Sequence, residues 1–269
     1  MLVLGIDAAW TATEPSGVAL ITGDELGWRL LSVASSYDDY LAPPASDIVQ
    51  RPRGSVPSPE SLLERSASLG LATVDLVAID MPLSLEAITS RRTADNEVSR
   101  AYGGRKCSTH TPSSIRPGPI SDTLRSEFAH LGYDLLTSGR AQRGLIEVYP
   151  HPALVELADA RERLRYKTSK LRKYWPVLAA PLRREALFDV WRQIVERLDG
   201  EVAGTADALT LPAPDSPTWK LKAFEDALDA IVCAWAGACA TTDGCIPFGD
   251  RTAAIWIPRK GFRLGQVGS

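Results

Sequence analysis

Apolar positions in the first third of the chain fall in short runs broken by Gly and Asp. LVLGID (Leu2–Asp7) is followed by SGVALIT (16–22), a break at Gly23-Asp24, and GWRLLSVASS (27–36). Such runs predict strands joined as an antiparallel meander. A Pro- and Ser-rich stretch (43–59) separates them from SPESLLERSASLG, where Ser58 fits an N-cap and Pro59 the first helical position. VDLVAIDMPLS then predicts a strand over 74–79, stopped by Pro82, which has no N–H for a ladder. Residues 91–102 pattern as a helix. Residues 103–121, rich in Gly, Pro, Ser and Thr, pattern as a long loop, a length commonly tied to function or motion.

GLIEVYPHP (144–152) predicts a further strand, and helical patterning follows over 152–163, 170–198 and 219–240. AAIWIP (253–258) reads as a closing strand. Strands first, then alternation, then helices predict an α/β layer with a mixed sheet, flanked by helices. At 269 residues the chain is read as one domain spanning 1–269, with a helical insertion or lid at about 161–211.

Three acids occupy one slot in this pattern: Asp7, Asp80 and Glu147 each sit at or near the carboxyl end of an apolar strand. Ligands bind outside those ends in open α/β sheets. Asp226 and Asp229 lie three residues apart in FEDALDAIVCAW, on one face of a helix that is apolar from Ala230 onward. Carboxylates gathered together repel one another unless a cation is present. Oxygen ligands with few imidazoles or thiolates suit Mg²⁺ or Mn²⁺, and two such ions support phosphodiester cleavage. An Asp after a strand also serves as a helix cap or turn residue, and that reading stands beside the metal site.

Other residues extend the picture less far. Arg92, Asp95 and Arg100 are placed on one helix face, where arginines could clamp a phosphate or merely form a solvated, ion-paired surface. His151 fits an acid–base role or a helix cap, and Lys167 a phosphate contact or a helix surface. The net charge of −3 lacks the basic excess of tight non-specific nucleic-acid binders, so any such contact must come from a local patch. The four cysteines form no C-x-x-C pair and read as reduced thiols, with no zinc spacing. No P-loop, no G-x-G-x-x-G turn and no G-x-S-x-G elbow occurs. With no membrane-spanning apolar run and no signal-peptide pattern, the expectation is a cytoplasmic protein without a membrane partner.

The strings GIDAAW with PSGVAL, AIDMPLS, RRTADNEVSRAYG, IEVYPHPAL, RYK and LDAIVCAW, taken in order, resemble domain-of-unknown-function family 429. Members of that family are predicted RNase H-like nucleases. The resemblance covers Asp7 to Trp235. It implies an RNase H-like mixed sheet of five strands in the order 3-2-1-4-5, three antiparallel and then two parallel. The first and fourth strands would be neighbours, setting Asp7 beside Asp80, with Asp229 from a late helix and Glu147 as a fourth ligand.

The resulting expectation is a divalent-metal-dependent nuclease acting on DNA or RNA. Its metal and catalytic residues would be Asp7, Asp80, Glu147 and Asp229, with Arg92, Arg100 and Lys167 as phosphate contacts. Two rivals remain. One is an actin- or sugar-kinase-like ATP-binding phosphotransferase, although AAWTATEPSG replaces the Gly-rich loop such folds need. The other is a catalytically inactive binding protein that keeps the fold. DNA, RNA and small nucleotides are not separated at this level, nor is the oligomeric state defined.

Overall fold

A computed structural model describes residues 1–42 and 51–266. The expected Pro- and Ser-rich separator lies partly outside the described residues. The elements run β1 (Leu2–Asp7), β2 (Gly17–Asp24), β3 (Gly27–Ala34), α1 (Tyr37–Leu41), α2 (Pro59–Gly70), β4 (Leu76–Ile79), α3 (Thr93–Tyr102) and α4 (Pro119–His130). They continue with β5 (Gly144–Val148), α5 (Pro150–Leu157), α6 (Leu171–Tyr174), α7 (Ala180–Asp199), α8 (Thr205–Ala208), α9 (Thr218–Thr241), β6 (Cys245–Gly249) and β7 (Ala254–Pro258).

One seven-stranded mixed sheet has the order β3-β2-β1-β4-β5-β7-β6. The meander β1-β2-β3 is antiparallel, as the pattern predicts, and β4 and β5 add in parallel beside β1. The expected five-strand order is thus corrected to seven strands. The hairpin β6-β7 follows the last helix and docks β7 in parallel on the free edge of β5. AAIWIP forms β7 as expected, whereas CIPFG carries a proline and too short an apolar run to announce β6.

Helix boundaries moved for identifiable reasons. Ser58 caps α2 through its side chain, with Pro59 in the first turn, as read from sequence. The helix expected over 91–102 starts at Thr93, because Arg92 is its N-cap, with the backbone N–H of Arg92 donating to Asp95. The helix expected over 152–163 starts at Pro150 and ends at Leu157, and Asp159 turns away with φ 47°. The expected 170–198 helix is split into α6 and α7 around Pro176, whose missing N–H breaks the ladder. The loop expected over 103–121 gives way to α4 at Pro119, a helix that its mixed pattern did not predict.

Residues of β1 alternate between two cores. Val3 faces a cluster built on α5, α7 and α9, while Leu2, Leu4 and Ile6 face a second one that includes Leu62 of α2 and Leu124 of α4. Trp191 and Leu187 of α7 are fully buried against α9, so much of 161–211 packs into the main core. Nearly all of α9 from Phe224 onward is buried, because it lies directly on the sheet. Gly5 and Gly17 allow this approach. A Cβ at Gly5 would collide with the Ala230 carbonyl and the Ala234 amide, and one at Gly17 with the Asp226 carbonyl. No helix among the described residues is long and apolar enough to cross a membrane.

Candidate functional site

The close seat of α9 sets up the chemistry. Parallel pairing places Ile6 opposite Ile79, and the Asp80 amide donates to the Ile6 carbonyl at 2.9 Å, so Asp7 and Asp80 stand next in register, side by side. By strand alternation both point to the face that carries Val3 and Ala78, the face covered by α9. Asp229 and Asp226 descend onto this pair from α9. Among the described residues, neither the Asp7 nor the Asp80 carboxyl accepts a hydrogen bond or joins an ion pair. Burial, then Asp229, raises the Asp7 pKa from the ordinary carboxylate value to about 7, against the opposing pull of Lys167 and Lys222. Burial, then Asp7 and Asp229, pushes Asp80 well above that ordinary value.

Asp229 is partnered throughout. Tyr166 Oη donates to its Oδ1 at 2.9 Å, and the Lys167 ammonium pairs with Oδ2. Lys167 also lies 3.3 Å from Glu225, which in turn accepts from the Thr168 amide at 2.6 Å and hydroxyl at 2.9 Å. Burial works against the charged form of Lys167, but Asp229, Tyr166, Glu225 and Asp7 outweigh it and hold its pKa well above the usual value. Lys222 pairs with Asp226, whose Oδ2 is buried without a partner among the described residues.

His151 closes this network, with Nδ1 3.1 Å from Tyr166 Oη. Tyr166 has one hydroxyl proton and gives it to Asp229, so the Nδ1 of His151 must carry the proton in this contact. Burial, followed by the nearby Lys167, Arg163 and Lys170, lowers the His151 pKa well below its usual value and keeps the ring neutral. Its Nε2 is then an acceptor. Asp80, Tyr149 and His151 line a cleft of about 160 Å³ outside the strand ends.

Glu147 does not join this group in the same way. It is paired with Ile79 in the β4–β5 register, one residue short of Asp80, and so projects from the opposite face. There it accepts from Arg92 Nη1 at 2.6 Å and Nη2 at 2.8 Å, and from the Leu83 amide at 2.8 Å, while Arg92 Nε reaches Asp95 at 3.0 Å. Burial raises the Glu147 pKa, with Arg92 pulling it down. Its carboxylate still borders the same cleft as Asp80.

Of the expected site residues, then, Asp7, Asp80 and Asp229 come together with Lys167. Arg92 is committed to Glu147, Asp95 and the Leu83 carbonyl, leaving it no free donor face for a phosphate. Arg100 is exposed on α3. Lys167 meets carboxylates instead of standing on a helix surface. Lys222 and Glu225 were not singled out from sequence, although their spacing from Asp226 and Asp229 puts all four on one helical stripe. All four cysteines are free and buried. Among the described residues, no group of three His, Cys, Asp or Glu side chains is placed so that it could hold a metal ion.

The fold and site define a class: a mixed α/β protein whose central strands end in adjacent aspartates, unpartnered among the described residues, under a buried helix. The profile of the family described as Protein of unknown function (DUF429) matches residues 5–253, and the chain belongs to that family. Comparison with curated proteins and with solved structures found no match.

Proposed function

We propose that this protein is an RNase H-like, divalent-metal-dependent nuclease that hydrolyses phosphodiesters at the ends of β1 and β4. The observation that carries this reading is the Asp7–Asp80 pair, adjacent in register and without protein partners among the described residues. Keeping these carboxylates charged costs free energy, because burial and the neighbouring Asp229 outweigh the pull of Lys167 and raise the pKa of both. This donor set fits Mg²⁺ or Mn²⁺, since Mg²⁺ is commonly held by one or two carboxylates, with waters and substrate phosphates completing its shell. When bound, such an ion supplies charge neutralisation and an acidified water.

The remaining roles fall to the chain's own side chains. Asp7 and Asp80 would hold the ion. Asp229, fixed by Tyr166 and Lys167, would complete their acidic wall. His151, its Nδ1 hydrogen-bonded to Tyr166, presents Nε2 as a proton acceptor at the cleft. One observation favours the inactive binding protein instead: the Lys167 ammonium already pairs with Asp229 and Glu225. Labelled DNA and RNA incubated with Mg²⁺ or Mn²⁺ decide between them. Wild-type cleavage that Asp7→Asn abolishes supports the nuclease, and no difference between the two proteins overturns it.

A further inference from the structure

The segment between α5 and α7 carries a basic surface that the proposed chemistry does not use. Lys106, Arg163, Arg165, Lys170, Lys173 and Tyr174 line a depression of about 380 Å³. Glu162 is the one acid there, and it is paired with Lys106. Arg163 Nε is buried and meets no acceptor among the described residues. The Tyr174 hydroxyl is likewise buried and unpartnered; it lies toward the Lys167 backbone without completing a hydrogen bond. A buried guanidinium N–H without an acceptor is costly, and the guanidinium that carries it belongs to a residue lining the depression. Burial, then the positive charges of Arg163, Lys173 and Lys167, lowers the Lys170 pKa against the opposing pull of Glu225, so cations crowd one another there.

The surface is elongated. Arg163 and Arg165 also border a second depression of about 460 Å³, together with Arg161, Arg197 and Trp175. Tyr174 and Trp175 sit edge to face at 5.6 Å where the two depressions meet. On the other side the same segment reaches the carboxylates: Lys167, between Arg165 and Lys170 in the chain, pairs with Asp229, and Tyr166 Oη lies 3.1 Å from His151 Nδ1. A run of cations with interleaved aromatics is how proteins track a single strand, with phosphates on the cations and bases stacked on the rings.

We propose that Arg163, Lys170 and Lys173 form a phosphate-binding track for a single-stranded polynucleotide, leading away from the Asp7–Asp80 pair. This rests on the nuclease reading for its substrate class, but its test needs no cleavage. Anisotropy of a fluorescein-labelled single-stranded oligonucleotide is titrated in EDTA over a range of salt. Arg163→Gln/Lys170→Gln is expected to bind about tenfold more weakly, with a salt slope smaller by about 1.4, roughly 0.7 per phosphate contact removed from a single strand. Arg29→Gln, on edge strand β3, should match wild type. Lys170→Gln/Lys173→Gln leaves Arg163 in place and should show the same flattening if the first variant does not fold by circular dichroism.

Unchanged affinity and slope in a folded variant overturn the track, whatever the cleavage assay shows. A lost affinity for inorganic pyrophosphate with undiminished oligonucleotide binding also overturns it, because the depression would then serve a small phosphate. Weakened strand binding without cleavage under any metal keeps the track and fails the nuclease reading alone.

Discussion

Two acidic sites stand at the carboxyl ends of neighbouring strands, and they differ in kind. Glu147 is ringed by Arg92, Asp95 and the Leu83 amide, with Arg92 bridging both carboxylates. Asp7 and Asp80, one strand away, find no such partners among the described residues, and burial with the nearby Asp229 raises the pKa of both. The first arrangement is complete and serves the fold, fixing the chain between β4 and α3. The second leaves both carboxyls without a hydrogen bond or ion pair among the described residues, which is the opening that the proposed metal ion would fill. Burial of an acid alone does not separate structure from function; the presence of a partner does.

That contrast breaks most sharply in activity. Asp80→Asn should lower metal-dependent cleavage by more than about 100-fold, since even outer-shell partners of a metal commonly contribute about 10–100-fold. Arg92→Met should leave cleavage chemistry intact in whatever fraction folds, while destabilising the protein by about 3–5 kcal/mol through two unpaired buried carboxylates. Urea denaturation measures the second effect. A stable Arg92→Met protein, or an Asp80→Asn protein that unfolds, would reverse the assignment of the two sites.

A smaller effect concerns pH. Asp7 binds its proton more tightly when folded, at about 7 against an ordinary 3.8, so its contribution to stability is present below pH 3.8 and is lost as pH rises to 7. Asp7→Asn should therefore melt higher than wild type at pH 8, by ~2–4 °C for each kcal/mol relieved, with the gap closing near pH 4. Mg²⁺ at pH 8 should raise the melting temperature of wild type and not of Asp7→Asn. The smallest effect is expected at Arg100, exposed on α3: Arg100→Ala should change stability by less than about 0.5 kcal/mol and leave cleavage unaltered.

Much of this was legible in the chain. The antiparallel start, the strands ending in Asp7 and Asp80, and the apolar helix bearing Asp229 all follow from period and composition. The Glu147 slot did not. Reading it as equivalent to Asp80 missed a one-residue offset, and in a strand one residue reverses the face. Arg92 was read as a phosphate clamp or part of an ion-paired surface, and neither reading reaches Glu147, 55 residues away in sequence. The basic track escaped because its charges are scattered through a segment without periodicity, and the overall balance is acidic.

The sequence by itself determined which acids terminate strands and which helix is apolar enough to be buried. Local patterning carries those facts because strand alternation and helical spacing act over a few residues. Only the tertiary structure decided which carboxylates share a face, since that depends on the β1–β4 and β4–β5 registers and on how near α9 can come. It also decided which acids gain a cationic partner, because Arg92 and Lys167 reach theirs only after distant segments pack together.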